Sequence, residues 1–533
     1  MNFRTLSTLF LLFQLKSYSQ VKLQTGSAEI GIPIYSFNDN LSRLNLNLSL
    51  HYSSGNGLLV DNISSPVGTG WMLAGIPKII RIQKDLPDDQ SSIYDPNGIA
   101  FQTPLVGVRG CPKILNYYPL WDNSGASYDD PLIVSEDKRV DEFQLFLNGR
   151  VIIFYLRTKF TFSQDGTAIT LLNTDDKVRI IAYSSTSVTD NISSCTKIKR
   201  FVVLDENGIT YEFSIKDYAK RYRYTLPNSS LSKSWQIAQE IINFPFVATA
   251  WNVSQISDQK NNRVINFEYS PQTLSFDNFS NLYGTGDNST YPTSFVGTIK
   301  KNTLITNEIK SVTLPTSEKI EFNYNSSARK DILGAYGMND IVIKNANLKR
   351  INRFVFNQSY FVKNEMKIPV DVSEEKWSRL CLLSLQRMGE TDAFKEEPYV
   401  FNYYLGTNNF ENFVPPVFFH AKDPWGYYNG DMCGVVVNRF LDKDATSLAD
   451  WIKLCTYNQN HYPYSEYEIT ANCKTNYAAN GLLKSYVNPL GGITEYEYDQ
   501  NKTRPSSGMA SDVIAGGVHV SRVFKSTSGN PEK

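Results

Sequence analysis

The residues best suited to chemistry in this chain are aromatic. Trp425, Tyr427 and Tyr428 stand within four positions of one another, separated by Gly426. Aromatic rings on a loop can stack on the apolar C–H face of a sugar while their polar edges hydrogen-bond. The same residues can equally pack into a core, with Gly426 allowing a tight turn. They are the candidate ligand-binding set, with a glycan as the candidate partner. His420, three residues before Asp423, offers a base and an orienting carboxylate. Packing at a strand end explains that pair as well. Asp85, Asp88 and Asp89, and also Asp129, Asp130 and Asp137, are acidic groups of a kind that bind calcium weakly outside cells. Neither group has the spacing of a calcium-binding loop, and solvated loops account for both.

No nucleophile motif accompanies these residues. The four histidines, His51, His420, His461 and His519, do not form a His-Glu-x-x-His zinc pattern. The chain has no nucleophile elbow of the Gly-x-Ser-x-Gly form and no phosphate-cradling glycine loop. The six cysteines, Cys111, Cys195, Cys381, Cys433, Cys455 and Cys473, show no Cys-x-x-Cys spacing, so buried or disulfide-bonded thiols are expected. No catalytic residue, cofactor or metal is expected, and the chain reads as a non-enzyme. Lys plus Arg and Asp plus Glu both total 53, so charge gives no reason to expect a nucleic-acid partner.

Any such residues must be positioned by strands. Leu44, Leu46, Leu48, Leu50 and Tyr52 alternate with polar residues, which puts one strand face on a core and the other in water. The pattern returns at Ile265, Phe267 and Tyr269, at Ile320, Phe322 and Tyr324, and at Tyr496 and Tyr498. Asp205-Glu206-Asn207-Gly208 and Asn148-Gly149-Arg150 each join two strands as hairpin turns, because Asn-Gly accepts positive φ. The run 258–262 predicts a longer turn. Helical periodicity is scarce; 373–385 is the one place for a helical turn. An aromatic-x-Tyr phrase recurs at Phe267-Glu268-Tyr269, Phe322-Asn323-Tyr324, Phe401-Asn402-Tyr403 and Tyr496-Glu497-Tyr498. It predicts related hairpins lining one sheet. Thirty-two tyrosines and thirty phenylalanines suit such pleated surfaces. The expected fold is all-β: many antiparallel hairpins forming packed sheets or an open barrel-like shell, with long loops.

The first residues have the layout of a signal peptide. Arg4 supplies charge, 6–15 an apolar core too short to span a bilayer, and Ser17-Tyr18-Ser19 small residues at a cleavage site. Cleavage after Ser19 or Gln20 predicts a secreted or cell-surface protein. No later apolar run is long enough for a membrane helix, so no integral membrane segment is expected.

Several segments together resemble exported Rhs/YD-repeat proteins of Bacteroidetes type, in the region ahead of their repeat array. These are Ile32-Pro33-Ile34, the strand after Leu44, Val67-Gly68-Thr69-Gly70-Trp71, Ile79-Ile80-Arg81, the hairpins at 141–155 and 201–213, and Asp423-Pro424-Trp425-Gly426-Tyr427-Tyr428-Asn429-Gly430. Pro424 stands where the family has His. Gly481-Leu482-Leu483, Asn488-Pro489-Leu490-Gly491-Gly492 and Tyr496-Glu497-Tyr498-Asp499 continue the likeness. The resemblance implies a signal peptide at 1–20, an N-terminal β region at 21–480 and an incomplete repeat-like hairpin unit at 481–533. It implies a non-catalytic scaffold, part of a cocoon that encloses or presents a C-terminal effector. The partner would be a downstream repeat or effector segment or chain. The repeat array, self-cleaving core and toxin domain of that family are not in this sequence, so neither toxicity nor autoproteolysis is carried over. A carbohydrate-binding adhesin is the alternative, and a polysaccharide-active enzyme a third reading.

Overall fold

The computed structural model describes residues 18–22, 25–83, 141–155, 168–170, 172–175, 177–184, 192, 198–225, 240–243, 246–285, 294–361, 378–405, 414–415, 425–428, 477–503 and 513–527. They are nearly all strand, and every pairing is antiparallel. A four-stranded sheet holds β1 (Tyr18–Lys22), β2 (Ser27–Asn38), β3 (Asn45–Ser53) and β4 (Trp71–Ala74). A larger, 20-stranded sheet holds the rest. It begins with β5 (Lys78–Ile82), β6 (Glu142–Leu147), β7 (Arg150–Tyr155), β8 (Ala168–Thr170), β9 (Leu172–Asn173), β10 (Arg179–Ser184), β11 (Ile198–Leu204), β12 (Thr210–Thr225) and β13 (Glu240–Asn243). It continues with β14 (Val247–Asp258), β15 (Arg263–Thr285), β16 (Ser294–Thr313), β17 (Lys319–Ala328), β18 (Tyr336–Lys344) and β19 (Arg350–Tyr360). It ends with β20 (Leu380–Met388), β21 (Tyr399–Tyr403), β22 (Leu483–Val487), β23 (Gly492–Thr503) and β24 (Val513–Thr527). From β14 to β24 each strand pairs with the next, forming one long meander. The all-β expectation holds.

Alternation explains the strands. In β3, Leu46, Leu48, Leu50 and Tyr52 are buried, and the intervening positions face outward or sit half-buried. The expected helical turn at 373–385 is overturned where it is described. There, Leu380, Cys381, Leu382 and Leu385 lie buried on β20, paired with β19.

The two Asn-Gly turns differ. At β6–β7, Asn148 (φ 50°) and Gly149 (φ 74°) both take the left-handed region, as a two-residue hairpin turn requires. At β11–β12 Gly208 alone does (φ 77°). The longer turn is set instead by the Asp205 carboxylate, which accepts the amides of Asn207 and Ile209, both at 2.9 Å.

The aromatic-x-Tyr phrase becomes a structural repeat. Phe267, Phe322, Phe401 and Tyr496 are all buried on β15, β17, β21 and β23. In each phrase the register against the following strand slips just before the second tyrosine, at 268/269, 323/324, 402/403 and 497/498. A bulge there sharpens the local twist. Each second tyrosine then donates its hydroxyl to a carbonyl on the preceding strand. Tyr269 reaches Val253 O (2.8 Å), Tyr324 reaches Ile309 O (3.0 Å), Tyr403 reaches Leu382 O (2.6 Å) and Tyr498 reaches Leu483 O (3.0 Å). Burial raises the pKa of all four phenols, so they stay protonated donors.

The small sheet packs on the large one through a continuous apolar core. Trp71 is its anchor. The indole lies against Tyr52 (centroids 5.1 Å apart) and Phe401 (4.5 Å), and its N–H donates to the Tyr403 hydroxyl at 2.9 Å. A second aromatic group, Phe143, Phe154, Phe201 and Trp251, packs together, and Arg81 of the fully buried Arg81–Asp141 ion pair lies over the Phe143 ring at 5.5 Å. At one rim, polar contacts join β2 and the turn after it to the large sheet. Arg263 pairs with Asp39 at 2.8 Å, and Tyr35 donates to Glu318 at 3.0 Å.

Candidate functional site

At the other rim the loop 54–70, between β3 and β4, crosses the large sheet. It has little regular structure, so its buried carbonyls need donors from elsewhere. Two arginines supply them. Arg379, 1% exposed, donates to Pro415 O (2.9 Å), Asn62 O (3.0 Å) and Val60 O (2.9 Å). Burial lowers its pKa to about 10, with Asp331 opposing the shift, so it remains a cation at neutral pH. Arg329 donates to Ser64 O (3.0 Å) and Ser65 O (3.1 Å) and grips Asp331 with two bonds of 2.9 and 2.8 Å. Asp331 also accepts the Leu380 amide at 3.0 Å. Gln358 bonds the carbonyls of Pro66 and Val67 (2.7 and 2.8 Å). Gly68, at φ 145°, runs so close to β20 that a Cβ would stand 2.9 Å from the Leu382 amide nitrogen.

This loop seats the aromatic turn. Val60 N donates to Gly426 O at 3.0 Å, and Leu59 forms a bridge with Tyr427. The strand β24 arrives from the other side, with Val518 N donating to Asn56 O and Val520 N to Gly26 O, both at 2.7 Å. Tyr427 is wedged between two glycines. A Cβ on Gly57 would reach its ring at 2.9 Å, and one on Gly517 at 3.0 Å. The Trp425 indole lies over Gly516, where a Cβ would meet ring atoms at 2.6 to 2.8 Å.

The three aromatics therefore do not present one face. Tyr428 is 1% exposed and packs edge-on against Tyr477, with centroids 5.6 Å apart. Tyr427 is half-buried, and Trp425 is 55% exposed. The candidate set Trp425, Tyr427 and Tyr428 thus divides into two packing residues and one exposed ring. The turn serves as a clasp joining the 54–70 loop to β24. The sequence motif marked the clasp. Its partners Arg329, Arg379 and Asp331 carried no local signal, because they act on backbone far away in the chain.

The remaining candidates do not converge. His51 lies 3.8 Å from Glu29, and burial lowers its pKa. His519 meets Asn501 at 3.0 Å. His420, His461 and Asp423 lie outside the described residues, as do Asp85, Asp88, Asp89, Asp129, Asp130 and Asp137. So do Cys111, Cys195, Cys433, Cys455 and Cys473. Cys381 is a buried free thiol whose pKa burial pushes up to about 12, so it is not a nucleophile at neutral pH. Among the described residues no group of three or more His, Cys, Asp or Glu is placed to hold a metal. No helix among them is long and apolar enough to cross a membrane.

No family model matches the chain, and no curated protein matches it. Among solved structures it is similar to the Photorhabdus luminescens Tc holotoxin pore carrying a mutated TccC3, at 10% identity and a TM-score of 0.33. It is also similar to the crystal structure of TcdB2-TccC3-TEV, at 11% identity and a TM-score of 0.34. In both cases the match covers 73% of this chain and 16% of the other.

Proposed function

We propose that this protein is a non-catalytic scaffold, exported to the cell surface or beyond, and that it forms part of a β shell of the Rhs/YD type enclosing or presenting an effector segment. The observation that carries this reading is the unfinished edge of the meander. Over 521–527, β24 pairs with β23 on one side, and among the described residues its other side has no backbone partner. Val523 is 37% and Phe524 43% exposed there. A bare strand edge with apolar side chains is an aggregation hazard that folds normally cover. A further strand would cover it. The clasp suits the same role, since it ties the small sheet to the strand from which the shell would continue.

The test is limited proteolysis and size-exclusion chromatography of the purified chain. The scaffold reading expects early cleavage within 521–527 or self-association through that edge. A monomer whose β24 resists protease would overturn it. The adhesin reading rests on Trp425, the exposed ring. It expects Trp425→Ala to abolish retention on a glycan array at an unchanged melting temperature. An equal loss of stability would assign Trp425 to packing.

A further inference from the structure

The aromatic phrase has a further copy, on β19, that ends in Gln358 instead of tyrosine. In the tyrosine copies, the ladder to the preceding strand stops one residue before the phrase, at Asn266, Glu321, Val400 and Glu495. The ladder to the following strand slips just before the last residue of the phrase. Phe356-Asn357-Gln358 does both. Its ladder to β18 stops at Val355, and that to β20 slips between Asn357 and Gln358. Phe356 is buried like the other leading aromatics. The carbonyl that takes the phenol also has a fixed place. Ile309, Leu382 and Leu483 each stand opposite the last residue of the preceding phrase, respectively Tyr269, Gln358 and Tyr403. On β18 that place, opposite Tyr324, belongs to Met338.

At Met338 the loop 54–70 fills the place. The Met338 amide donates to Pro66 O at 2.7 Å. Gln358 Nε2 donates to Pro66 O and Val67 O at 2.7 and 2.8 Å. Its amide group is oriented from the other end. Asn325 Nδ2 donates to Gln358 Oε1 at 3.2 Å, so both Nε2 hydrogens are left for the loop. Gly337 makes the room, since a Cβ there would collide with Oε1. The residues before Val253, Ile309, Leu382 and Leu483 are Asn252, Glu308, Cys381 and Leu482, all with side chains. We infer that Gln358 is a lock for the loop 54–70. Together with Gly337 it turns one tyrosine site of the repeat into a seat for the loop, and so holds closed the strap that carries the clasp to β24. A tyrosine spends its one hydroxyl hydrogen on the preceding strand, whereas glutamine has two N–H donors and reaches two carbonyls outside the sheet. The lock holds whether or not β24 is continued, because its contacts lie within 64–70, 325–338 and Gln358 itself.

Gln358→Glu keeps the size of the side chain and removes both donors. Hydrogen exchange read by mass spectrometry is expected to speed up about tenfold or more in peptides covering 64–70 and 336–340, with 341–356 unchanged. Those peptides hold the Thr69 and Met338 amides, which bond across the joint to Leu380 O and Pro66 O. Gln358→Tyr restores the repeat. It should open the loop in the same peptides yet lower the urea midpoint less than Gln358→Glu, because the phenol regains a carbonyl on β18. Gly337→Ala drives the amide group off its seat and should open the loop with Gln358 intact, and it carries the test if either Gln358 variant fails to accumulate. Exchange at 64–70 that is unchanged in Gln358→Glu, or that rises equally at 341–356, would overturn the lock. So would a Gln358→Tyr variant that keeps the loop closed, or that is less stable than Gln358→Glu, because the site would then not be a tyrosine site of the repeat.

Discussion

Replacing Tyr403 by Phe removes one oxygen that does two jobs. The Tyr403 hydroxyl donates to Leu382 O at 2.6 Å and accepts the Trp71 indole N–H at 2.9 Å. Without it, the carbonyl loses a bond and the N–H of a tryptophan that is 2% exposed is left unpaired. The first loss costs about 1 kcal/mol and the second about 1–3 kcal/mol, so the variant should lose about 2–4 kcal/mol. Tyr324 is the control, since its hydroxyl serves one backbone bond, to Ile309 O at 3.0 Å. Tyr324→Phe should cost about 1 kcal/mol. The assay is urea unfolding followed by far-ultraviolet circular dichroism, with the midpoint compared at constant slope. A Trp71→Phe background isolates the coupling, because there Tyr403→Phe should fall to the cost of the control. The reasoning fails if Tyr403→Phe is no worse than Tyr324→Phe, or if its cost survives unchanged beside Trp71→Phe.

Other outcomes follow from the same structure. Gly68→Ala should prevent accumulation of soluble protein, because the Cβ would collide with the Leu382 amide. Gly149→Ala, with no atom within 4 Å of the new methyl, should cost only the backbone strain of about 1–2 kcal/mol, measured by denaturation. Arg379→Leu strips three carbonyls of their donor, two of them buried, and should destabilise by about 3 kcal/mol or more, read as loss of protease resistance around 58–70. The Arg263 guanidinium holds the Asp39 carboxyl down at about 2, against an ordinary 3.8. A depressed folded pKa adds stability that is present above the unfolded value and disappears as pH falls from about 4 toward 2. Asp39→Asn should therefore lower stability at pH 6 and flatten that acid limb of the denaturation midpoint. Cys381 should stay unreactive toward a thiol reagent at pH 8 until the chain is unfolded, as its thiol is buried and raised to about 12.

Local signals in the sequence were enough to read most of the fold. Alternation at 44–52 and the Asn148-Gly149 turn each describe one strand or one hairpin, and both are in place. The aromatic-x-Tyr phrase was legible as a repeat, but not its meaning. A bulge and a phenol crossing to the preceding strand depend on the neighbours, which the phrase does not contain. The helical turn at 373–385 failed because β20 opens with Leu380, Cys381, Leu382 and Leu383, three buried and one exposed, so an unbroken apolar run replaces the polar alternation that marks a strand in the sequence. At the clasp, glycine and aromatic were both visible as types. The pairing of Trp425 with Gly516, or of Arg379 with Val60, joins positions tens to hundreds of residues apart, and nothing local encodes it.

The central claim, that β24 is built to be continued by another strand, is tested most directly by cryo-electron microscopy of the native particle purified through a tag on this chain. The account predicts a further strand paired along 521–527 and a shell wall extending from it. A native particle in which that edge faces solvent would contradict it.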